Sequence, residues 1–233
     1  MIYKKNKLTI DGFNVDFLAK KFDTPIFCYS QKKIKENILN LKLHFKKIDP
    51  LICYAVKANT NISILKEIKN HNLGADVVSI GELMKALKAG IKPHKIVFSG
   101  VGKTTAEIEY AVGKNILLIN AESKSEILEI EKIAKRKKKV VKIGIRLNPN
   151  TDAQTLSQIS TGKKENKFGV DQKIFLQLVN YLKNSKYLSL KCLSVHIGSQ
   201  ILSHKPYQNM LRIVDKIIKK SDHNFEYIDL GGG

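Results

Sequence analysis

A single lysine, Lys57, follows the apolar run 51–56 and precedes the turn-prone run 59–61. The apolar run predicts a short buried strand, and α/β folds place their functional side chains at the carboxyl ends of such strands. A partly desolvated lysine amine at that position loses its proton more easily and becomes a nucleophile toward a carbonyl or an aldehyde. On position alone, an amine that simply reaches solvent is the commoner arrangement, because buried lysines are rare.

Two further polar residues end another apolar run. His196 lies at the end of the strand-like run 188–197, and Ser199 follows that run. The imidazole could stack on a flat ring, and the serine hydroxyl could donate to a phosphate, although a histidine at such a place is more often an ordinary core or surface residue. Because the carboxyl ends of parallel strands meet at one face of a barrel, these residues and Lys57 would lie on that face together.

Two glycine-containing runs could approach a phosphate group. The run 100–104 resembles a P-loop, but that motif needs a glycine five residues before Gly102, where Val97 stands. A tight turn into a helix capped by Thr104 is predicted there instead. Three consecutive glycines after the apolar run 225–230 would let backbone amides approach an anion, although a flexible turn explains them equally well. They are Gly231, Gly232 and Gly233.

Apolar strand-like runs alternate with helical patterns along most of the chain. A Ser or Thr followed three residues later by Glu predicts a helix start at Ser79, Thr104 and Ser123. Repeated strand, cap and helix units are typical of parallel βα architecture. A strand is also predicted at 25–29, ahead of a helix capped by Ser30. Seven βα-type strands are predicted to end near Lys57, Ser79, Phe98, Asn120, Leu147, Ile197 and Leu230.

The number of strands limits the fold class. An open doubly wound sheet usually has five to seven strands, whereas a closed barrel has eight. Seven strands followed by three glycines therefore predict an α/β fold of the (β/α)8 TIM type that is incomplete, with about seven βα units. We expect the chain to stop before the end of the barrel.

Composition excludes several classes of protein. The chain has 233 residues and a net charge of +20, but its basic residues are spread along every helix, with one short run at 135–139. We therefore expect no nucleic-acid partner. No apolar stretch approaches the roughly 18 residues of a membrane span, and no secretory signal is recognisable.

The three cysteines, Cys28, Cys53 and Cys192, lie in apolar runs and form no Cys-x-x-Cys pair. They are expected to be buried, reduced and without a structural metal, which favours a cytoplasmic location.

The run 54–59 resembles the lysine motif of the fold-type III pyridoxal-phosphate decarboxylases, whose barrel is similar to that of alanine racemase. The resemblance extends from about Pro25 to Gly233. Ornithine and arginine decarboxylases share the lysine and glycine motifs, whereas 160–169 and the pair Ser199-Gln200 favour the diaminopimelate decarboxylases. The segments that resemble this branch are 74–79, 98–104, 160–169 and 196–200.

The resemblance implies a cofactor and a role for each candidate residue. Lys57 would bind pyridoxal 5'-phosphate covalently, and His196 would stack on its ring. Asp76 and Arg146 would line the cofactor pocket. The phosphate would be held by Ser199 and by the backbone of Gly231, Gly232 and Gly233.

The implied reaction removes carbon dioxide from meso-2,6-diaminopimelate and gives L-lysine, in a homodimeric enzyme. The alternatives are an ornithine- or arginine-type decarboxylase, a pyridoxal-phosphate-binding barrel protein without decarboxylase activity, and a basic binding module.

The resemblance also implies a division of the chain. Residues 1–30 would be a lead-in segment that partly associates with a C-terminal β-domain, and residues 31–233 would be the cofactor-binding barrel without its last strand. In the family that further domain carries the acidic partner of the pyridine nitrogen and most substrate contacts. We therefore expect residues 1–233 to be inactive and poorly soluble alone.

Overall fold

A computed structural model of the chain describes residues 2–4, 6–151 and 168–232. Its strands form two sheets. The smaller sheet is antiparallel and consists of β1 (Ile2–Lys4), β2 (Lys7–Ile10) and β3 (Phe13–Asn14). The larger sheet is parallel and consists of β4 (Cys53–Ala55), β5 (Gly74–Val77), β6 (Ile96–Phe98), β7 (Leu118–Ala121), β8 (Val141–Arg146), β9 (Leu188–Ser194) and β10 (Tyr227–Asp229).

Helices connect the parallel strands in the predicted alternation. The larger sheet has the order β10-β9-β8-β7-β6-β5-β4, so strands adjacent in sequence are also paired in space. The seven predicted strand ends are confirmed. The helices are α1 (Val15–Phe22), α2 (Gln31–Phe45), α3 (Ile62–Asn70), α4 (Ile80–Lys88), α5 (Thr105–Lys114), α6 (Lys124–Arg136), α7 (Gln172–Lys183) and α8 (Lys205–Ser221), with short 3-10 turns at Val56–Ala58 and Pro93–Lys95.

The predicted caps begin α4, α5 and α6. Thr104 forms a complete capping box with Glu107. Ser79 accepts a hydrogen bond from the backbone N–H of Glu82, but the Glu82 carboxylate accepts from the N–H of Val78, one residue before the cap. The same variant occurs at the start of α6. In both cases the glutamate ties the end of the preceding strand to the start of the helix, which fixes the strand–helix joint.

The larger sheet is curled, as shown by its two outer strands, which pack against the same small cluster of buried residues. Val97, Leu118 and Cys192 form a buried cluster, and Cys53 of β4 and Tyr227 of β10 both pack against it. In a flat sheet, strands six positions apart would lie about 29 Å from each other. The alternate residues of the strands form a larger core with the helices. Fully buried members of that core include Val77, Phe98, Ile145, Leu83 and Ile127.

The lead-in segment differs from the prediction. Residues 25–29 form no strand, and Phe27 is 89% exposed. A short apolar run takes strand geometry only when a neighbouring strand pairs with it, and no described strand does so here. Cys28 is consequently exposed, contrary to the expectation of burial, whereas Cys192 is buried as predicted.

The small antiparallel sheet was not predicted. The strands β2 and β3 are joined by Asp11 and Gly12, which both have positive φ, at 50° and 91°. An Asp-Gly pair is a standard hairpin signal. The Asp11 carboxylate also accepts hydrogen bonds from the Ser30 hydroxyl and from the N–H of Lys32, which attaches this sheet to the start of α2.

Lys103, in the loop between β6 and α5, is a buried lysine that forms an ion pair. Its side chain is 1% exposed. The ammonium donates to the carbonyl of Gly100 (2.7 Å), the carbonyl of Asn120 (2.8 Å) and the carboxylate of Glu126 (2.6 Å). The protein itself uses this amine, in agreement with the rejection of a P-loop at 100–104.

Replacing this buried lysine should destabilise the chain strongly. Lys103→Ala leaves the Glu126 carboxylate without its cation, and we expect a loss of about 3 kcal/mol in the free energy of unfolding. Lys219 pairs with Asp215 along α8 and is 73% exposed, so Lys219→Ala should change stability by less than about 0.5 kcal/mol. Urea denaturation of both variants measures the difference. Equal effects would contradict the structural role of Lys103.

Candidate active site

The structure brings Lys57, Asp76 and His196 to one rim of the barrel. Lys57 lies in the 3-10 turn after β4, Asp76 is on β5 and pairs with Ala55, and His196 lies two residues beyond β9. Burial is the largest influence on the pKa of both Asp76 and His196, and the positive charge of Lys57 lowers both pKa values, so the amine lies within electrostatic reach of the two side chains. Lys57 itself is an exposed residue, and the expected desolvation of its amine is not observed.

Asp76 is a carboxyl group shifted toward its neutral form. Burial raises its pKa from 3.8 to about 6, and the neighbouring Asp229 carboxylate adds to the effect. A hydrogen bond with Ser99 and the charge of Lys57 act in the opposite direction. Its Oδ1 atom is buried and has no hydrogen-bond partner among the described residues. The arrangement leaves an acceptor in the site for a donor that the described chain does not supply.

His196 is shifted toward its neutral form as well. Burial, and then the positive charges of Arg146 and Lys57, lower its pKa from 6.5 to about 4. Its Nδ1 atom accepts a hydrogen bond from the N–H of Gly232 at 3.2 Å. Because a neutral imidazole has one donor and one acceptor nitrogen, this bond assigns the proton to Nε2. His196 therefore offers an uncharged flat ring at the rim.

The glycine turn packs directly against His196. Gly231 has a φ of +68°, and a Cβ atom added there would lie 2.5 Å from His196 Nδ1. A Cβ atom added at Gly232 would meet nothing within 4 Å, so the turn opens into free space at that residue. Its carbonyl accepts a hydrogen bond from the Tyr207 hydroxyl at 2.9 Å.

The N–H groups of the described glycines already have acceptors, since Gly231 donates to Asp229 Oδ1 and Gly232 to His196. Gly233 lies outside the described residues, as do residues 160–167 of the segment singled out in the sequence. Ser199 is partly buried, five residues after the end of β9.

Arg146 ends β8 and is buried. Its Nη1 donates to Glu122 Oε1 at 2.7 Å, and its guanidinium lies 4.7 Å from the centre of the Phe168 ring. Its Nη2 approaches the carbonyl of His196 at 3.5 Å. The second oxygen of Glu122 accepts from the N–H of Gly169 at 2.9 Å. Arg146 therefore fixes neighbouring backbone as well as contributing charge to the rim.

A layer of polar side chains lies below the rim and was not predicted. Asn120 Nδ2 donates to Ser99 Oγ at 3.2 Å and to Asp229 Oδ2 at 2.8 Å. Ser194 Oγ donates to the same Asp229 oxygen at 2.9 Å. Asn120, Ser194 and Asp229 each stand two positions before a residue nearer the rim, namely Glu122, His196 and Gly231. In strands, alternate residues face the same side, and this period could have identified the layer.

A sequence model described as "Pyridoxal-dependent decarboxylase, pyridoxal binding domain" matches residues 31–233. The chain belongs to this family. The cofactor of the family is pyridoxal phosphate, and the site suits it. Lys57 offers an exposed amine for the aldehyde, Asp76 has an unpartnered oxygen, and the free space at Gly232 could accommodate an anionic group.

Several curated relatives of the chain are diaminopimelate decarboxylases. The chain is 48% identical over 224 residues to the diaminopimelate decarboxylase of Helicobacter pylori strain J99, covering 95% of the chain and 55% of the relative. It is 45% identical to that of Campylobacter jejuni, covering 93% and 54%. The chain thus spans about half the length of the curated relatives that it matches.

Solved structures agree with the fold. The Helicobacter pylori diaminopimelate decarboxylase complexed with L-lysine superposes with a TM-score of 0.87 at 48% identity, covering 89% of this chain and 52% of that one. The M. jannaschii enzyme with L-lysine gives a TM-score of 0.91 at 33% identity, covering 99% and 56%. The arginine decarboxylase of a Chlorella virus, at 21% identity and a TM-score of 0.79, shares the fold.

The described residues contain neither a metal-binding cluster nor a helix suited to a membrane. Across residues 2–4, 6–151 and 168–232, no three His, Cys, Asp or Glu side chains are grouped so that they could hold a metal ion. No helix in the same ranges combines the length and apolar character that crossing a membrane requires.

The His196 ring should stay neutral near pH 7. Its low pKa predicts a titration midpoint near pH 4 and a proton on Nε2 above about pH 5.5. Because the unfolded chain binds this proton more readily, stability should rise with pH between about 4 and 6.5 and gain nothing further above that. Nitrogen NMR of the histidine-labelled protein measures the state of the ring, with exposed His204 as a reference. A midpoint near 6.5, or a proton on Nδ1, would refute this assignment.

Asp76 should lower the free energy of unfolding at neutral pH when no cofactor is bound. Its folded-state pKa is raised, so the folded chain keeps a proton that the unfolded chain releases, and stability falls as pH rises from about 4 to 6. Asp76→Asn removes this penalty and should gain roughly 2–3 kcal/mol at pH 7 and little at pH 4. Urea denaturation across pH measures it. A gain independent of pH, or one shared by the exposed control Asp215→Asn, would contradict the assignment.

Proposed function

We propose that this chain provides the cofactor-binding barrel of an enzyme that converts meso-2,6-diaminopimelate to L-lysine and carbon dioxide. The observation that carries the proposal is the convergence of Lys57, Asp76 and His196 beside the glycine turn. These residues come from three different strand ends, and the pKa shifts of Asp76 and His196 both include the charge of Lys57. Such a group of perturbed residues at the carboxyl ends of barrel strands is typical of an active site.

Each rim residue has a role that its surroundings support. Bound pyridoxal phosphate supplies an electron sink for the carbanion left when carbon dioxide departs. Lys57, with its exposed amine, is the residue that binds the cofactor covalently. His196, held neutral, presents its ring face for stacking. Asp76 provides a buried acceptor beside Lys57, and at pH 7 its raised pKa keeps a fraction of it protonated.

The phosphate end of the site is assigned to Ser199, Gly231, Gly232 and Gly233. The surroundings of Gly232 support this assignment, because a Cβ atom added there would meet nothing within 4 Å. Arg146 contributes positive charge near His196, and its bond to Glu122 holds it in place. Together these residues would neutralise and orient an anionic cofactor.

The substrate assignment follows the relatives. Identities of 45% and 48% are to diaminopimelate decarboxylases, and two of the similar solved structures contain L-lysine. The arginine decarboxylase is similar in fold at a much lower identity. A barrel protein that binds pyridoxal phosphate without decarboxylating a substrate is the second candidate, since the cofactor residues alone would serve both.

The organisation of the protein is also proposed. Residues 1–30 form a lead-in segment and residues 31–233 the cofactor barrel, a boundary supported by the start of the family match at residue 31. We further propose a cytoplasmic homodimer without a nucleic-acid partner. The spread of basic residues along the helices supports the last point.

The covalent role of Lys57 can be tested directly. The full-length protein is mixed with pyridoxal phosphate, reduced with borohydride and digested, and the label is located by mass spectrometry. We expect label on Lys57. Lys57→Arg should lose the label and lower carbon dioxide release from diaminopimelate by more than about 1,000-fold, because the nucleophile is gone.

The exposed Lys219→Arg is the matched control and should behave as the unaltered protein. Label on another lysine would overturn the role of Lys57. Label on Lys57 without release of carbon dioxide from diaminopimelate, ornithine or arginine would favour the non-decarboxylating barrel protein.

A further inference from the structure

The carboxylate of Asp229 connects three parts of the barrel interior. Asp229 is the last residue of β10. Its Oδ2 atom accepts hydrogen bonds from Asn120 Nδ2 at 2.8 Å and Ser194 Oγ at 2.9 Å. Its Oδ1 atom accepts from the N–H of Gly231 at 2.9 Å. One side chain therefore links β7, β9 and the glycine turn.

The partners of Asp229 in the sheet are themselves held in place. Asn120 is fully buried, and its backbone carbonyl accepts from the ammonium of Lys103 at 2.8 Å. Its side chain lies against Gly144, where an added Cβ would overlap its Oδ1. Ser194 pairs with Asp229 in the strand register. The Oδ2 side of the carboxylate is thus attached to a part of the barrel that has little freedom to move.

The other side of the carboxylate sets the position of the glycine turn. Gly231 adopts a φ of +68°. Glycine can adopt many other conformations as easily, so a further interaction is needed to hold the turn in this one. The bond from its N–H to Asp229 fixes where the chain goes next. The following residue, Gly232, donates to His196 Nδ1 and so determines the tautomer of that ring. The position of Asp229 is in this way transmitted to His196 through two consecutive backbone N–H groups.

We propose that Asp229 is a positioning residue, which holds the glycine turn against His196 and keeps the phosphate end of the site open. The proposal rests on the proposed function for its ligand, pyridoxal phosphate, and on the described contacts for its geometry. A carboxylate matches this position because it accepts several hydrogen bonds and donates none. An asparagine has only one acceptor oxygen, and the two donors on the Oδ2 side would attract it, so its N–H₂ group would face the N–H of Gly231.

The test compares two ligands that differ only in the phosphate. Binding of pyridoxal phosphate and of pyridoxal to the full-length protein is followed by absorbance. The unaltered protein should bind pyridoxal phosphate far more tightly. In Asp229→Asn the affinity for pyridoxal phosphate should fall about 10-fold to 100-fold, the effect of losing a hydrogen bond to a charged group, while that for pyridoxal stays within about 2-fold.

Ser194→Ala is the matched control. It removes one donor from Oδ2 and leaves the bond between Oδ1 and Gly231, so its affinity for pyridoxal phosphate should change less than about 3-fold. An equal loss of both ligands in Asp229→Asn, or no loss of either, overturns the positioning role. If Asp229→Asn does not fold, Asp229→Glu keeps the charge but displaces the carboxylate, and the same phosphate-specific loss is expected.

A second readout needs no cofactor and separates the two proposals. Nitrogen NMR should show His196 with its proton on Nε2 in the unaltered protein, and with both tautomers populated in Asp229→Asn. An unchanged tautomer in the variant overturns the inference. If the unaltered protein binds both ligands equally, the phosphate assignment of the proposed function fails, while the NMR result still decides the role of Asp229.

Discussion

The narrow interior of the curled parallel sheet is the constraint on which the other features depend. Each strand sends alternate residues inward, and the strands are close enough that these residues must fit each other. The result is a sequence of layers along the barrel axis. The base is apolar, the middle layer is polar and hydrogen-bonded, and the rim carries ionisable side chains. The residues that represent them are Val97, Leu118 and Cys192 in the base, Ser99, Asn120, Ser194 and Asp229 in the middle, and Lys57, Arg146 and His196 at the rim.

This layering explains the electrostatics of the site. The apolar base and the packed helices limit solvent around the rim, and limited solvent disfavours charge of either sign. The pKa of Asp76 consequently rises while that of His196 falls, from the same physical cause. Lys57 differs from both because it lies on the exposed side of the rim. The site therefore offers an accessible cation beside two groups that are driven toward neutrality, which suits an anionic ligand with an electrophilic aldehyde.

Much of this architecture could be predicted from the sequence, because short local patterns of residues determine it. Apolar runs gave the seven parallel strands, and the caps at Ser79, Thr104 and Ser123 gave the starts of three helices. Local signals also misled, since the run 25–29 has strand composition but no partner. The middle layer was missed for a different reason. The period of two within each strand places Asn120, Ser194 and Asp229 on the inner face, but it does not show that Asn120 bonds to Asp229, which is 109 positions away.

Gly144 shows how the close packing of the layers restricts the residues that fit at neighbouring positions. It faces Asn120 across the strand register, and even a methyl group at that position would overlap the amide oxygen of Asn120. An alanine at 144 would therefore force the side chain of Asn120 to move, or would require a smaller residue at position 120. That replacement would in turn remove a donor from Asp229. Positions 144 and 120 are therefore sterically coupled, and the residue carried at one limits the residue that fits at the other.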